Sequence, residues 1–250
     1  MPTADLSSLQ PIREISPHDT MVHSGPEDYY ALGRRALELV RIAAQLCDKP
    51  HFPRILDLPC GHGRVLRWLR AQYDYAEITA CDLETTGVDF CAHTLGARGV
   101  YSKPDLREVK FPTEFDLLWC GSLLTHLPFA QWDTVLDCFE RWTADCGVIV
   151  LSVQSRFFTT LLARGREDLC RNIQIPRLLE QFNRHGHAYE PYFEVPNGEY
   201  GISAVTPEVL LGWLGRRPNL LVRAYLEQAW GIQDAVILYK RPGLLAPPAA

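Results

Sequence analysis

The stretch Arg54-Ile55-Leu56-Asp57-Leu58-Pro59-Cys60-Gly61-His62-Gly63-Arg64 decides how this 250-residue chain is read. Arg54 to Leu58 is a short apolar run, the mark of a buried strand, with the acid Asp57 near its end. Two glycines, Gly61 and Gly63, follow. They let the backbone turn tightly and approach a ligand with no Cβ in the way. Val65, Leu66 and Leu69 then mark a helix, whose first turn leaves N–H groups that favour a negative ligand group. Strand, glycine turn and helix in this order predict a nucleotide-like or carboxylate-bearing cofactor at the carboxyl ends of a sheet.

The rhythm continues outward from that stretch. Pro26 lies near the first position of an amphipathic helix over about 26–47, with Ser24 and Glu27 at capping-box spacing. Ala76 to Cys81 reads as a second strand, followed by a helix from about Thr86 to Gly96. A short third strand lies near Val100, and Phe115 to Cys120 is a fourth. Trp132, Val135, Leu136, Phe139 and Trp142 mark a helix face, and Val148 to Val153 is a fifth strand. Such alternation predicts parallel βαβ units and an α/β fold. Residues 155–204 break the rhythm and read as an insert, with helical fragments and an aromatic stretch. A helix from Thr206 to about Leu214 and two strands, Leu220 to Leu226 and Ala235 to Lys240, close the domain as an antiparallel hairpin. Residues 1–25 read as a flexible arm or partial lid. The domain proper spans 26–242, and 243–250 reads as a disordered tail.

Composition narrows the function classes. Hydrophobic residues make up 47% and charged residues 22%, which supports a globular core and excludes a disordered chain. Lys and Arg number 25 against 30 Asp and Glu, a net charge of −5, so no basic excess favours nucleic acid. No apolar run approaches the ~18 residues of a membrane span. Met1-Pro2-Thr3-Ala4-Asp5 has the look of no secretory signal. The eight cysteines form no CxxC pair, and several sit in apolar runs. They predict reduced thiols in a cytoplasmic protein.

The cofactor class follows from what the glycine loop lacks. Gly61 and Gly63 supply GxG, but position 66 is Leu, so the dinucleotide fingerprint fails. No GxxxxGK[ST] loop occurs. Asp82, 19 residues after Gly63, ends the second strand, where a carboxylate accepts both hydroxyls of an adenosine ribose. The pattern predicts an adenosine without a pyrophosphate.

With these residues in place, the chain resembles class I S-adenosylmethionine-dependent methyltransferases. The resemblance rests on Ile55 to Gly63, on Asp82, on the run Phe115 to Pro128 and on the order of strands, and covers roughly residues 27–240. Tyr29 to Arg34 and Tyr200 to Ser203 are similar to a branch of small stand-alone bacterial enzymes. Pro59 departs from the pattern, which commonly has glycine there, and removes one amide from the loop.

The resemblance implies a Rossmann-like seven-stranded, mostly parallel sheet in the order 3-2-1-4-5-7-6, with the last strand antiparallel and helices on both faces. It implies that Asp57 orients the methionine ammonium, and that the loop of Pro59, Cys60, Gly61 and Gly63 passes under the methionine. Asp82 would hold the ribose, Leu83 the adenine slot, and Ser102 or Asp105 the adenine amino group. Cys120 and Gly121 would lie beside the transferable methyl, with Tyr30 and Arg34 closing over the cofactor. The expected cofactor is S-adenosylmethionine, with S-adenosylhomocysteine as product.

The acceptor side is less defined. His126 follows the fourth strand and has the chemistry of a base for a hydroxyl or amine; its other reading is a loop-fixing histidine. Tyr189, Tyr192 and Tyr200 line an acceptor pocket or form the insert's own core. His185 and His187 stay open between pocket and packing. His62 is expected to face solvent or the cofactor tail. Arg34, Arg35, Arg64, Arg67 and Arg70 read as solvated helix faces. No acidic triplet points to a metal. The expected reaction is methyl transfer to an O or N nucleophile of a small molecule such as a sugar, a lipid-linked glycan or a secondary metabolite. The alternatives are a non-catalytic cofactor-binding partner subunit and an aminopropyl transferase.

Overall fold

Five strands, β1 (Arg54–Asp57), β2 (Glu77–Asp82), β3 (Arg98–Tyr101), β4 (Phe115–Cys120) and β5 (Thr143–Val153), pair in parallel. The description comes from a computed structural model and covers residues 6–22, 25–170, 172–195 and 199–243. A hairpin of β8 (Leu220–Trp230) and β9 (Gln233–Lys240) completes the sheet, with β9 antiparallel between β5 and β8. β6 (His187–Pro191) and β7 (Gly201–Val205) form a separate two-stranded sheet. With those two set aside, the seven strands stand in the expected order 3-2-1-4-5-7-6.

Every residue of β4 is buried, which is why Phe-Asp-Leu-Leu-Trp-Cys reads without alternation. On one face of the sheet, α1 (Pro26–Leu46), α2 (Leu66–Gln72) and α3 (Thr85–Leu95) cover Ile55, Leu117 and Val150. On the other, α4 (Trp132–Trp142) and α7 (Pro207–Leu214) cover Leu56, Leu118 and Leu151. α4 turns Trp132, Val135, Leu136, Phe139 and Trp142 inward, the 3.6-residue period of its sequence. Burial of each such side chain is worth about 1.5–3 kcal/mol.

The insert brings α5 (Arg156–Ala163) and α6 (Ile175–His185) against the β6–β7 hairpin around Phe158, Leu162, Leu178, Phe182 and Ile202. Strand β7 is also stitched to the body. The Ser203 amide donates to the Thr125 carbonyl at 2.7 Å, that of Gly201 to His126 at 3.0 Å, and that of Val205 to Gln154 at 2.9 Å. The insert therefore lies directly over the loop that follows β4.

Two boundaries run past their expected ends. β5 starts at Thr143, after an irregular register against Phe115, and β8 continues to Trp230. β8 lies at the sheet edge with Arg223 and Glu227 exposed, so its charged outer face hides the strand period. The opening segment differs more. Over residues 6–22, Leu6, Leu9, Ile15 and Val22 pack on the core in place of a flexible arm. The expected cap Ser24 and the tail residues 244–250 lie outside the described residues. No helix among the described residues is long and apolar enough to cross a membrane.

Candidate active site

Asp57 closes β1 with 1% of its surface exposed, and neither carboxylate oxygen has a hydrogen-bond partner among the described residues. Burial, and then the charge of Asp82, push its carboxyl well above the usual carboxylate range; Arg64 and the Leu66 amide pull the other way. A buried carboxylate is stable as an anion only beside a cation or strong donors. The position therefore asks for a cationic group.

The loop after Asp57 is shaped by its neighbours. The Leu58–Pro59 peptide is cis, and the Cys60 amide donates to the Cys81 carbonyl at 3.1 Å. Gly61 and Gly63 sit at φ +50° and +79°, the left-handed region that glycine enters without strain. A Cβ on Gly61 would meet nothing within 4 Å, so this side of the loop is open. A Cβ on Gly87 of α3 would collide with the Gly61 carbonyl, so α3 fixes the loop from below.

Asp82 sits across that loop. One carboxylate oxygen accepts from the Gly61 amide at 2.7 Å and the other from Glu84 at 3.0 Å. The Ser102 amide donates to the Asp82 carbonyl at 2.8 Å, which brings β3 alongside. Leu83 next to it is 59% exposed and presents an apolar surface. Asp105 is taken up by Arg107 at 2.8 Å. Asp57, Gly61, Gly63, Asp82, Leu83 and Ser102 thus converge on the carboxyl ends of β1, β2 and β3.

α1 corrects one expectation. Arg34 points to solvent and pairs with Glu38 at 3.5 Å, so it does not join the site. The helix turns Tyr29, Tyr30 and Gly33 inward. The Tyr30 hydroxyl donates to the Arg13 carbonyl, and the Arg13 guanidinium lies 4.2 Å from its ring centre.

α2 and its approach overturn a second expectation. Arg67 is 1% exposed, not solvated. It donates to the carbonyls of Ile12 and Glu14 at 2.7 Å each, of Gly63 at 3.0 Å and of His62 at 3.3 Å. Arg64 is half-buried between the rings of Tyr29 (5.9 Å) and Trp230 (5.5 Å). Burial pushes its guanidinium down, while the charges of Asp19 and Asp57 offset part of this.

At the end of β4, Gly121 lies under Trp119 and Trp230, where a Cβ would come within 2.6 Å of the Trp230 ring. Cys120 points into the opposite core layer, and burial pushes its thiol up.

His126 stands between this strand end and the insert. Its Nδ1 lies 2.8 Å from the Gly201 carbonyl. A carbonyl only accepts, so Nδ1 carries the proton and Nε2 keeps its lone pair. The ring stacks on Tyr200 at 4.8 Å, and the Tyr192 ring lies 6.1 Å away. Burial holds His126 below the ordinary histidine range. The Tyr192 hydroxyl is pushed up to about 12, chiefly by burial. Burial and then the Asp82 charge raise the Tyr200 hydroxyl. Tyr189 extends the cluster along β6, its amide held by the Gln181 side chain at 3.1 Å.

Other histidines serve packing. His62 is 8% exposed, with Nε2 3.2 Å from the Thr86 hydroxyl, rather than facing solvent or the cofactor tail. His187 stacks on Phe129 at 4.8 Å.

Residues 55–147 match the family profile described as a methyltransferase domain. Over that stretch the chain is similar to methyltransferase domains. The methyltransferase fold recurs in solved structures of low identity. An S-adenosylmethionine-dependent methyltransferase from Clostridium acetobutylicum is 16% identical, with 86% of this chain and 93% of that one covered and a TM-score of 0.56. The 1,6-didemethyltoxoflavin-N1-methyltransferase of Burkholderia thailandensis, with that compound and S-adenosylhomocysteine bound, is 15% identical over 93% and 95%, with a TM-score of 0.55. An amino pentose methyltransferase of calicheamicin biosynthesis from Micromonospora echinaspora is 14% identical over 89% and 100%, with a TM-score of 0.52. Among curated protein sequences, none matches.

Proposed function

We propose that this methyltransferase moves the methyl group of S-adenosylmethionine to an oxygen or nitrogen nucleophile of a small molecule bound under the insert. The observation that carries the reading is the buried, partnerless carboxylate of Asp57 at the end of β1. A ligand ammonium supplies the missing cation there. The open side of Gly61 leaves room for the methionine, and Asp82 receives the ribose hydroxyls. Leu83 and Ser102 border the adenine, and Tyr30 holds the opening segment alongside.

When bound, the cofactor supplies a methyl on a sulfonium, whose leaving thioether is neutral. The protein's own work is to align the acceptor, keep water away and receive its proton. Gly121, kept bare under Trp230, borders the reacting space from β4. Residues 155–204 carry the acceptor side, with Tyr189, Tyr192 and Tyr200 facing it. A sugar, lipid-linked glycan or secondary metabolite suits this mix of aromatic and polar surface. The two neighbours named for toxoflavin and amino pentose chemistry support a small acceptor. Eight thiols without a disulfide fit a reducing cytoplasm.

Calorimetric titration with S-adenosylmethionine, S-adenosylhomocysteine and NAD tests the reading. Micromolar binding of the two adenosyl ligands and silence with NAD are expected; a folded protein that binds neither would end it. The same titration carries a pH signature. The free Asp57 carboxyl binds its proton too tightly, and an ammonium beside it favours the anion. Ligand binding should therefore release a proton, and affinity should rise with pH through the range in which the free carboxyl titrates, in the wild type and in His126→Asn alike. A flat profile would remove Asp57 from the ammonium site.

We assign to His126 the proton of a hydroxyl acceptor, taken on Nε2 while Nδ1–H stays on Gly201. Because burial lowers this histidine, the acid limb of kcat should fall below the ordinary value of about 6.5. His126→Asn should erase that limb and lower kcat by about 100-fold, the usual size of base catalysis. A variant that keeps the limb would place the base elsewhere.

A further inference from the structure

The carboxyl ends of β4 and β5 hold a polar cluster that contains no charge. Ser122 follows Gly121, and its backbone sits at φ +64°, a region that a residue with a Cβ seldom enters. A closed ring of hydrogen bonds keeps it there. The Ser122 amide donates to the Ser152 hydroxyl at 2.9 Å, that hydroxyl donates to Gln233 Oε1 at 2.6 Å, and Gln233 Nε2 donates back to the Ser122 hydroxyl at 2.9 Å. The Thr125 hydroxyl donates to the Ser122 carbonyl at 3.0 Å, which ties the ring to the turn that carries His126.

The directions of these bonds decide which groups are left over. A side-chain amide has two N–H donors and a hydroxyl has one O–H. One N–H of Gln233 goes to Ser122, and the other has no partner among the described residues. The Ser122 proton has only a 3.3 Å approach to the same Oε1 that Ser152 already occupies. Both residues are half-buried. An unused acceptor lies beside these two donors. Val153 of β5 pairs with Asp234 of β9, so the register continued by one residue sets Gln154 opposite Gln233. Gln154 is 6% exposed, and its buried Oε1 has no partner among the described residues. Asp234 adds no free charge, because it is buried and takes the Tyr225 hydroxyl and, at 2.7 Å, the Gln228 amide.

We infer that Ser122, Gln233 and Gln154 form an acceptor subsite for neutral hydroxyl groups, and that the small molecule methylated is a polyol such as a sugar ring. A hydroxyl both accepts and donates, so adjacent hydroxyls satisfy the two donors and the one acceptor together. A carboxylate would meet the Gln154 oxygen with no cation to offset it. An ammonium would meet two donors and a single acceptor. The inference rests on the methyl-transfer reading, in which Gly121 borders the reacting space, and narrows its acceptor to a neutral polyhydroxyl compound.

Three probes built on one ring test it: cis-1,2-cyclohexanediol, cyclohexanecarboxylate and cyclohexylamine. S-adenosylhomocysteine is titrated first by calorimetry; silence there ends the cofactor reading alone, and the probes are then read on the free protein. Otherwise they are added to its complex. Side-chain amide resonances of the isotope-labelled protein report the binding. The diol should move the Gln154 and Gln233 signals saturably and bind at least about tenfold more tightly than either charged probe, since unmatched polar groups are left at the site by the other two. Ser122→Gly removes the hydroxyl and suits the backbone angle. It should weaken the diol roughly 3- to 10-fold, the loss of one neutral hydrogen bond, while the thermal midpoint holds or rises. Gln154→Leu should weaken the diol by a similar factor and leave S-adenosylhomocysteine affinity within about twofold. A charged probe that binds as well as the diol overturns the inference, and needs no variant to fold. So do Gln154 and Gln233 signals that stay still, or a diol affinity unchanged in both variants, which would leave the ring to the fold alone.

Discussion

Arg67→Met is expected to lower the stability of the protein by roughly 3–5 kcal/mol, a loss in the range reserved for broken buried polar networks. Arg67 is buried, and four backbone carbonyls receive its protons: Ile12 and Glu14 of the opening segment, and His62 and Gly63 of the glycine loop. Methionine fills the volume but donates to none of these acceptors. Each orphaned acceptor costs about 1–3 kcal/mol, partly returned by relaxation. The charge it removes had its own desolvation cost, which keeps the net figure below the sum. For a chain of this length the midpoint should fall by about 6–20 °C. Residues 6–22 should become cleavable by trypsin or chymotrypsin before the body unfolds. Arg67→Lys should behave much like Met, because one ammonium cannot span both segments. A midpoint within 2 °C of wild type, with the segment still protected, would show that the apolar contacts of Leu6, Leu9, Ile15 and Val22 hold it unaided.

This junction also shows what the sequence does and does not reveal. The order of the strands, the glycine turn and the acid that ends β2 were legible because each is a local pattern: an apolar run, a residue free of Cβ, an acid at a strand end. Asp57, Gly61, Gly63 and Asp82 meet in the structure as that pattern requires. Arg67 was misread as part of a solvated helix face. A helix period says which face is polar, but not whether a polar face is buried under a segment distant in the chain. Arg34 lies on a truly exposed face, while Arg67 lies under residues 12–14, more than fifty positions away. The opening segment gave no period at all, because its main anchor is its own backbone carbonyls, and every residue has one. The β6–β7 hairpin was hidden in the same way, since its outer partners are the backbones of Thr125, His126 and Gln154.

Asp82→Ala is expected to abolish adenosyl binding, and the reason is double. A carboxylate has about four acceptor positions. Two of them hold the amides of Gly61 and Glu84, which leaves two for ribose hydroxyls. Alanine removes both sets at once. Loss of two charge-assisted hydrogen bonds to the ligand amounts to roughly 3–5 kcal/mol, or about 100- to 4,000-fold in affinity. Release of the glycine loop adds to that figure. Asp82→Asn separates the two contributions. Its one carbonyl oxygen can still accept from Gly61, so the loop should stay in place and the thermal midpoint should change little, while the ribose loses most of its grip. Asp82→Ala should weaken S-adenosylhomocysteine and 5′-methylthioadenosine alike, since both carry the ribose. Binding of S-adenosylhomocysteine to folded Asp82→Ala within threefold of wild type would mean that the acid serves the loop alone, and that the adenosine is held from the Leu83 and Ser102 side.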